Sequence, residues 1–347
     1  MRRSLAAFAL SGLMIAGAVA LETGDLGPVP VNVDNFVRAE SDLYIGNLVK
    51  DAGGLGTFLH HREPADIAHQ SVIRLNRDTL YSGVVLDLDA GPATVILPDA
   101  GDRFMSLQVI NEDQYTTELH YGAGSYPLNK DSVGTRYALA AIRTLVDPND
   151  PEDLKAVHAL QDAMRVEQPG GPGTFEVPQW DQASQAATRQ ALLALAAQLP
   201  DTRGMFGTKD EVDPVRRLVG AASAWGGNPE EGALYLNVAP EKNDGATTYK
   251  LVVPKDVPVK GFWSVSRYTK DGYYAPNDLN AYSINNVTGK KAEDGSVTIH
   301  FGGCEGSVPN CLPIDDGWNY MVRLYRPDAS ILDGSWTFPQ AVPAEGP

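Results

Sequence analysis

The sequence predicts a mainly β protein with a helical insert (α+β): two antiparallel β-sandwich or jelly-roll-like domains, plus several helices in the middle third. Three observations predict this. Short alternating or apolar runs cluster before residue 150 and again from about Leu234. Between them lie Ala- and Leu-rich stretches with helix-start signals. The order strands, helices, strands lacks the regular alternation of a doubly wound parallel sheet. The chain divides accordingly into a signal peptide (1–20), an N-terminal β-rich domain with a leading helix (21–150), a helical segment (151–230) and a C-terminal jelly-roll-like domain (231–343).

Met1-Arg2-Arg3 is a short positive start, an apolar run follows, and Ala18-Val19-Ala20 has the small-x-small pattern of a cleavage site. That run is about 15 residues, short of the ~20 that span a bilayer. An exported protein, periplasmic or extracellular, is the expectation. Residues 33–50 read as a helix: Asp34 can cap it, Phe36, Val37, Leu43, Tyr44 and Leu48 recur at helical spacing, and Gly53-Gly54 ends it. Residues 84–88, 93–97, 104–110 and 139–146 read as strands, punctuated by Gly91-Pro92 and by Asp99-Ala100-Gly101-Asp102. Residues 152–166, 181–199 and 214–225 read as helices. Asp181 and Asp213-Pro214 supply N-terminal signals for the last two. The Gly- and Pro-rich stretch 168–178 reads as a loop. Strands return at 249–253, 261–268, 297–301 and 320–325, with turns at Asp271-Gly272, Asp294-Gly295 and Asp316-Gly317.

The 347 residues, 43% hydrophobic and 21% charged, suffice for two domains with proper cores. A formal charge of −16 opposes binding to nucleic acid and to anionic lipid. No later stretch is apolar enough to enter a membrane. A small-molecule or glycan ligand is therefore the expected partner, and a homo-oligomer stays open because jelly rolls also build oligomers. Cys304 and Cys311, with six residues between them, suit a local disulfide in an oxidising compartment. Closing so short a loop stabilises by about 2.5 kcal/mol.

Three segments carry a family resemblance. They are Arg74-Leu75-Asn76-Arg77-Asp78-Thr79-Leu80-Tyr81-Ser82, then Gly261-Phe262-Trp263-Ser264-Val265-Ser266-Arg267-Tyr268, then Val322-Arg323-Leu324-Tyr325-Arg326-Pro327 with Leu332-Asp333-Gly334-Ser335-Trp336. Over residues 32–343 the chain resembles exported bacterial proteins that pair the domains of unknown function numbered 1254 (N-terminal) and 1214 (C-terminal). The resemblance implies two mostly β domains, the second jelly-roll-like, and no established reaction. Relatives tend to carry Asn-Trp-Leu-Pro where this chain has Asn310-Cys311-Leu312-Pro313. A pocket lined by that tryptophan would differ here, or the cysteine staples the loop through Cys304.

The best candidates for chemistry lie in the first segment. Asp78 can accept a proton, Tyr81 can donate one, and Ser82 completes the candidate catalytic set. Asn76 and Thr79 are candidate substrate-binding residues, with Arg267 and Arg323, whose guanidinium groups suit carboxylates. The same polar side chains can instead brace a turn. His60, His61 and His69 with Glu63 and Asp66 offer metal-ligand types, but their spacing matches no common zinc set. No cofactor is expected, and a divalent metal on that group is the weaker alternative. Glu118 and His120 fall on one side of a strand-like stretch and read as a surface pair before an acid–base pair. Tyr115, Tyr121, Tyr126, Trp263, Tyr268, Tyr273, Tyr274 and Tyr282 either wall a ring-binding site beside Arg267 and Arg323 or fill the core, the latter favoured for Trp263. Tyr325 belongs with Trp263 to the core-filling alternative.

There is no nucleophile elbow, Walker loop or dinucleotide fingerprint. The expectation is a cofactor-poor, hydrolase-like enzyme acting on a small molecule or glycan at a cleft between the two β domains. The alternative is a non-catalytic protein that binds carbohydrate or a small ligand, or that serves assembly.

Overall fold

The computed structural model describes residues 27–70, 73–199 and 201–344. The signal peptide expected at 1–20 lies outside the described residues. The chain opens with α1 (Phe36–Ala52) and β1 (Leu59–His60), then β2 (Thr79–Asp87), β3 (Ala93–Leu97), β4 (Met105–Asn111), β5 (Thr116–Tyr121) and β6 (Gly124–Leu128). The short α2 (Lys130–Val133) leads into β7 (Tyr137–Leu145), α3 (Pro151–Ala163) and β8 (Arg165–Glu167). Two helices follow, α4 (Gln182–Ala196) and α5 (Pro214–Ala224). The last third carries β9 (Ala233–Val238), β10 (Tyr249–Val253), β11 (Trp263–Tyr268), β12 (Ser283–Asn285) and β13 (Val297–Phe301). It ends with β14 (Cys311–Leu312), β15 (Asn319–Tyr325), α6 (Ala329–Leu332) and β16 (Val342–Pro343). The protein is thus mainly β with helices, an α+β fold.

The N-terminal part is built on an antiparallel sheet in the order β1-β2-β7-β4-β5. Alternation divides its two faces. Val84, Leu86, Leu107, Val109, Ala138, Ala140 and Ile142 share one core with Ala93, Val95 and Leu97 of a three-stranded sheet, β6-β3-β8. The opposite face presents Val85, Ile110, Tyr137 and Leu139 to Ile45 of α1, with Leu48, Phe175 and Trp225 beside them. One face of the large sheet therefore meets a second sheet, and the other meets helix and loop. That second face carries the site.

Helix α1 also packs on α4 and α5, through Phe36, Val37, Ala39, Leu192, Val219 and Ala221. It buries charge as well. Glu40, 0% exposed, accepts from Arg189 Nε at 2.9 Å and Gln185 Nε2 at 2.7 Å. Asp42 accepts from the Trp180 indole at 2.8 Å. In the C-terminal part, the sheets β14-β13-β10-β16 and β12-β11-β15-β9 contribute to one core, which contains Leu251, Ile299, Phe301, Trp263, Val265, Trp318, Tyr320 and Val322. Trp263 is core, as expected of it. Cys304 and Cys311 form the disulfide, with Cα atoms 5.6 Å apart.

Several boundaries differ from the sequence reading, β2 most of all, which starts at Thr79 and not at 84; two of the differences have visible local reasons. Helix α1 begins at Phe36 because Asn32 and Asn35 hold the preceding residues in a turn: Asn35 Oδ1 accepts from Asn32 N, and Asn32 Oδ1 accepts from Asp34 N. Asp34 consequently caps nothing. Helix α3 stops at Ala163, not near 166, because Arg165, Val166 and Glu167 pair with β3.

Candidate functional site

On β2, alternation sends Thr79, Tyr81 and Gly83 to the helix-covered face. Their neighbours across the ladder are Arg143 opposite Tyr81, Ala141 opposite Gly83 and Leu139 opposite Val85. A cavity of about 450 Å³ opens on this face. Leu48, Leu59, Ile110, Leu139, Ala141 and Trp225 form its apolar wall. Asn76, Thr79, Tyr81 and Arg143 cluster toward the start of β2, and His61, Glu63, Asp66 and His69 complete the lining. Its volume and lining fall in the usual range for small-molecule sites.

The polar cluster is organised by Asn76. Its Oδ1 accepts from Asp78 N at 2.8 Å, which fixes the amide. Its Nδ2 then faces three hydroxyls: Thr79 Oγ1 at 3.1 Å, Tyr81 Oη at 3.3 Å and Tyr325 Oη at 3.0 Å. Nearby, Asn228 Nδ2 donates to Tyr235 Oη at 2.7 Å. The Tyr81, Tyr235 and Tyr325 hydroxyls each receive a hydrogen bond, and among the described residues no acceptor takes a bond from any of them. Arg143 lies 5.6 Å from the Tyr81 ring centre, and its Nη1 and Nη2 reach Gln108 Oε1 at 2.7 Å and Gly226 O at 3.1 Å.

The three phenols differ in acidity. Burial raises Tyr325 well above the ordinary value and raises Tyr235 too. Burial opposes ionisation of Tyr81 as well. There Arg143, the hydrogen bonds from Asn76 and Thr79, and Arg323 outweigh it, so Tyr81 sits below the ordinary tyrosine value. Neighbouring groups whose acidities are driven apart mark acid–base assignments.

The C-terminal part holds this cluster in place from behind. Leu75 O accepts from Tyr268 Oη at 2.7 Å, Tyr274 Oη at 2.8 Å and Arg323 Nη2 at 3.2 Å. Arg323 also donates to Arg74 O at 2.9 Å, Tyr268 Oη at 2.6 Å and Ser266 Oγ at 2.7 Å. Arg74 N bonds Gly272 O at 2.8 Å. The residues just before Asn76 are thereby clamped by strands β11 and β15.

Of the residues singled out in the sequence, Asn76, Thr79 and Tyr81 come together at the cavity. Asp78 points away: its Oδ1 accepts from Ser283 Oγ at 2.7 Å and Asn285 Nδ2 at 3.1 Å. Ser82 also lies along the cavity, but strand alternation turns its hydroxyl to the other face, where it meets His60 Nδ1 at 2.8 Å and Gln161 Nε2 at 3.3 Å. Arg323 stands behind the cluster as the clamp. Arg267 is away from it, in an ion pair with Asp315 at 2.9 Å. None of the residues lining this cavity belongs to the C-terminal domain expected at 231–343, whereas a smaller crevice, lined by Arg77, Asp78 and Asn149 on one side and Tyr282, Ser283 and Asn285 on the other, lies between the two parts. The larger cavity forms on the N-terminal sheet because Leu48 of α1 and the turn at Trp225 and Gly226 cover that face.

Of the histidine-rich group, His61, Glu63, Asp66 and His69 line the cavity, and His60 does not. His60 joins Ser82, and His69 pairs with Asp66 at 2.7 Å. Among the described residues, no group of three or more His, Cys, Asp and Glu side chains is placed to hold a metal ion. His120 Nε2 meets Glu118 Oε2 at 2.7 Å, outside the cavity lining. Tyr268, Tyr274 and Tyr282 form a buried aromatic cluster with Met321 and do not line the cavity. Arg143, Trp225 and the Tyr325 hydroxyl were missed by sequence reasoning. A lone arginine in the apolar run 139–146 was the available signal for the first.

Residues 55–131 match the family described as a protein of unknown function, DUF1254, and residues 234–329 match another so described, DUF1214. No curated protein matches the chain. Among solved structures, the chain is similar to the VPA0106 protein of Vibrio parahaemolyticus: 19% identity, TM-score 0.67, covering 91% of this chain and 100% of that one. This likeness shows a shared fold. A protein from Burkholderia cenocepacia, described as uncharacterised, matches at 11% identity and TM-score 0.49, covering 89% of this chain and 87% of that one. The chain therefore pairs a DUF1254 domain with a DUF1214 domain, in that order from the N-terminus.

Proposed function

We propose that this protein acts on a small organic molecule held in the cavity above the N-terminal sheet, with Tyr81 as the proton donor to the ligand's oxygen-bearing head. The observation that carries this reading is the state of Tyr81. Its oxygen receives a bond from Asn76, so its own proton is available to a ligand, and its acidity is raised by Arg143 despite burial. A hydrogen-bond donor with a lowered pKa is the group that general acid catalysis requires. The apolar wall formed by Leu48, Ile110, Leu139 and Trp225 supports an apolar ligand body over a glycan. In a hydrolase-like reaction Tyr81 would protonate a leaving oxygen; the orientation of Ser82 does not support it as nucleophile. The disulfide and the predicted leader support work outside the cytoplasm.

Ligand-observed NMR with a small-fragment library tests this. Fragments with an apolar body and an oxygen acceptor should bind the wild-type chain and lose binding in Ala141→Phe, which fills the cavity. Fragments that are turned over should still bind Tyr81→Phe but remain unchanged. Binding unaffected by Ala141→Phe would refute the cavity. Binding without turnover, unchanged in Tyr81→Phe, would favour the non-catalytic binding protein.

A further inference from the structure

In an acid-rich chain most buried or half-buried arginines find carboxylates. Arg38, Arg103, Arg136, Arg189, Arg203 and Arg216 all do so. Arg143 is 7% exposed and lines the cavity, yet no carboxylate lies within 4.0 Å of it among the described residues. Its recorded partners, Gln108 Oε1 and Gly226 O, are neutral, and its remaining N–H groups have no acceptor among the described residues. Arg74, Arg77, Arg217, Arg323 and Arg326 have no ion pair there either, but none of them lines the cavity, and four oxygens surround Arg323 behind the cluster. Arg143 is therefore the cation that faces the cavity, and a buried, uncompensated charge is costly unless a ligand compensates it.

We infer that the cavity selects a small organic monocarboxylate, an aliphatic or aromatic acid whose carboxylate bonds Arg143 and Tyr81 and whose body lies along Leu48, Ile110, Leu139 and Trp225. The inference rests on the cavity being the ligand site and adds the charge of the head. One guanidinium beside one phenol O–H matches the planar, acceptor-only carboxylate. Phosphate, with about two charges and three strong acceptor oxygens, calls for more cations than this. Glu63 and Asp66 also line the cavity; they repel any anion, and a doubly charged one about twice as strongly as a monocarboxylate.

Isothermal titration of the full chain with hexanoate and phenylacetate, each against its uncharged amide, is the test. In the wild type the acids should bind at least about tenfold tighter than the amides, the strength of a charge-assisted pair. Arg143→Gln should bring the two within about twofold, and Arg143→Lys should restore part of the difference. Amides binding as well as the acids in the wild type would overturn the inference and leave the cavity as a site for neutral ligands. Preference for the acids surviving in Arg143→Gln would also overturn it. If neither acids nor amides bind at millimolar concentration, the charge assignment and the cavity reading fall together. The wild-type comparison needs no variant, so a poorly folding Arg143→Gln does not spare the inference.

Discussion

Asp78→Ala should destabilise the fold by about 3 kcal/mol. Asp78 is 1% exposed and ties the start of β2 to β12 through Ser283 and Asn285. Each hydrogen bond to a charged acceptor is worth about 1.5–3 kcal/mol, and its loss leaves the buried Asn285 donor and the half-buried Ser283 donor without this acceptor. Relief of the buried carboxylate offsets part of that. Asp78→Asn should cost much less, about 1 kcal/mol, because one oxygen already accepts both bonds and Oδ2 has no partner among the described residues. The amide nitrogen can take the place of Oδ2, and only the negative charge near Arg323 is lost. Urea unfolding followed by tryptophan fluorescence measures both. An alanine variant within about 0.5 kcal/mol of wild type, the scatter of ordinary surface changes, would refute the brace. So would an asparagine variant as damaged as the alanine one.

Burial holds the Asp42 carboxyl up at about 6, with the Trp180 hydrogen bond opposing. The native state keeps this proton where the unfolded chain, at about 4, has lost it, so this group's contribution to stability falls as pH rises between those values. Asp42→Asn, which can still accept from Trp180, should remove that loss and stabilise by about 2 kcal/mol near neutral pH but not near pH 4; thermal unfolding at both pH values checks it. Cys304→Ser should cost about 2.5 kcal/mol, and a reducing agent should lower the melting temperature of the wild type but not of the variant.

Much of the fold was legible because it rests on local physics. The apolar alternation of 93–97, 249–253 and 297–301 fixed strands whose ends coincide with β3, β10 and β13. Asp181 and Asp213 cap α4 and α5 through Ser184 N and through Val215 N and Arg216 N. Strands β5 and β6 were less visible because the polar, partly exposed side chains of these edge strands break the apolar pattern. At the site, the segment around Asn76 was found from its polar density. Alternation separates Thr79 and Tyr81 from Asp78 and Ser82. It does not say which face a cavity occupies, since that depends on Leu48 and on Trp225, remote from β2 in sequence. The clamp on Leu75 left no mark because its acceptor is a backbone carbonyl.

Tyr81 is the acid poised at the cavity, and its ionisation can be read directly. Phenolate absorbance followed against pH, as the difference between the wild type and Tyr81→Phe, isolates that residue from the chain's other tyrosines. The prediction is ionisation below the ordinary tyrosine value of about 10, and a return toward that value when Arg143 is replaced by Gln. Ionisation at or above about 10, as burial alone would give, would contradict it.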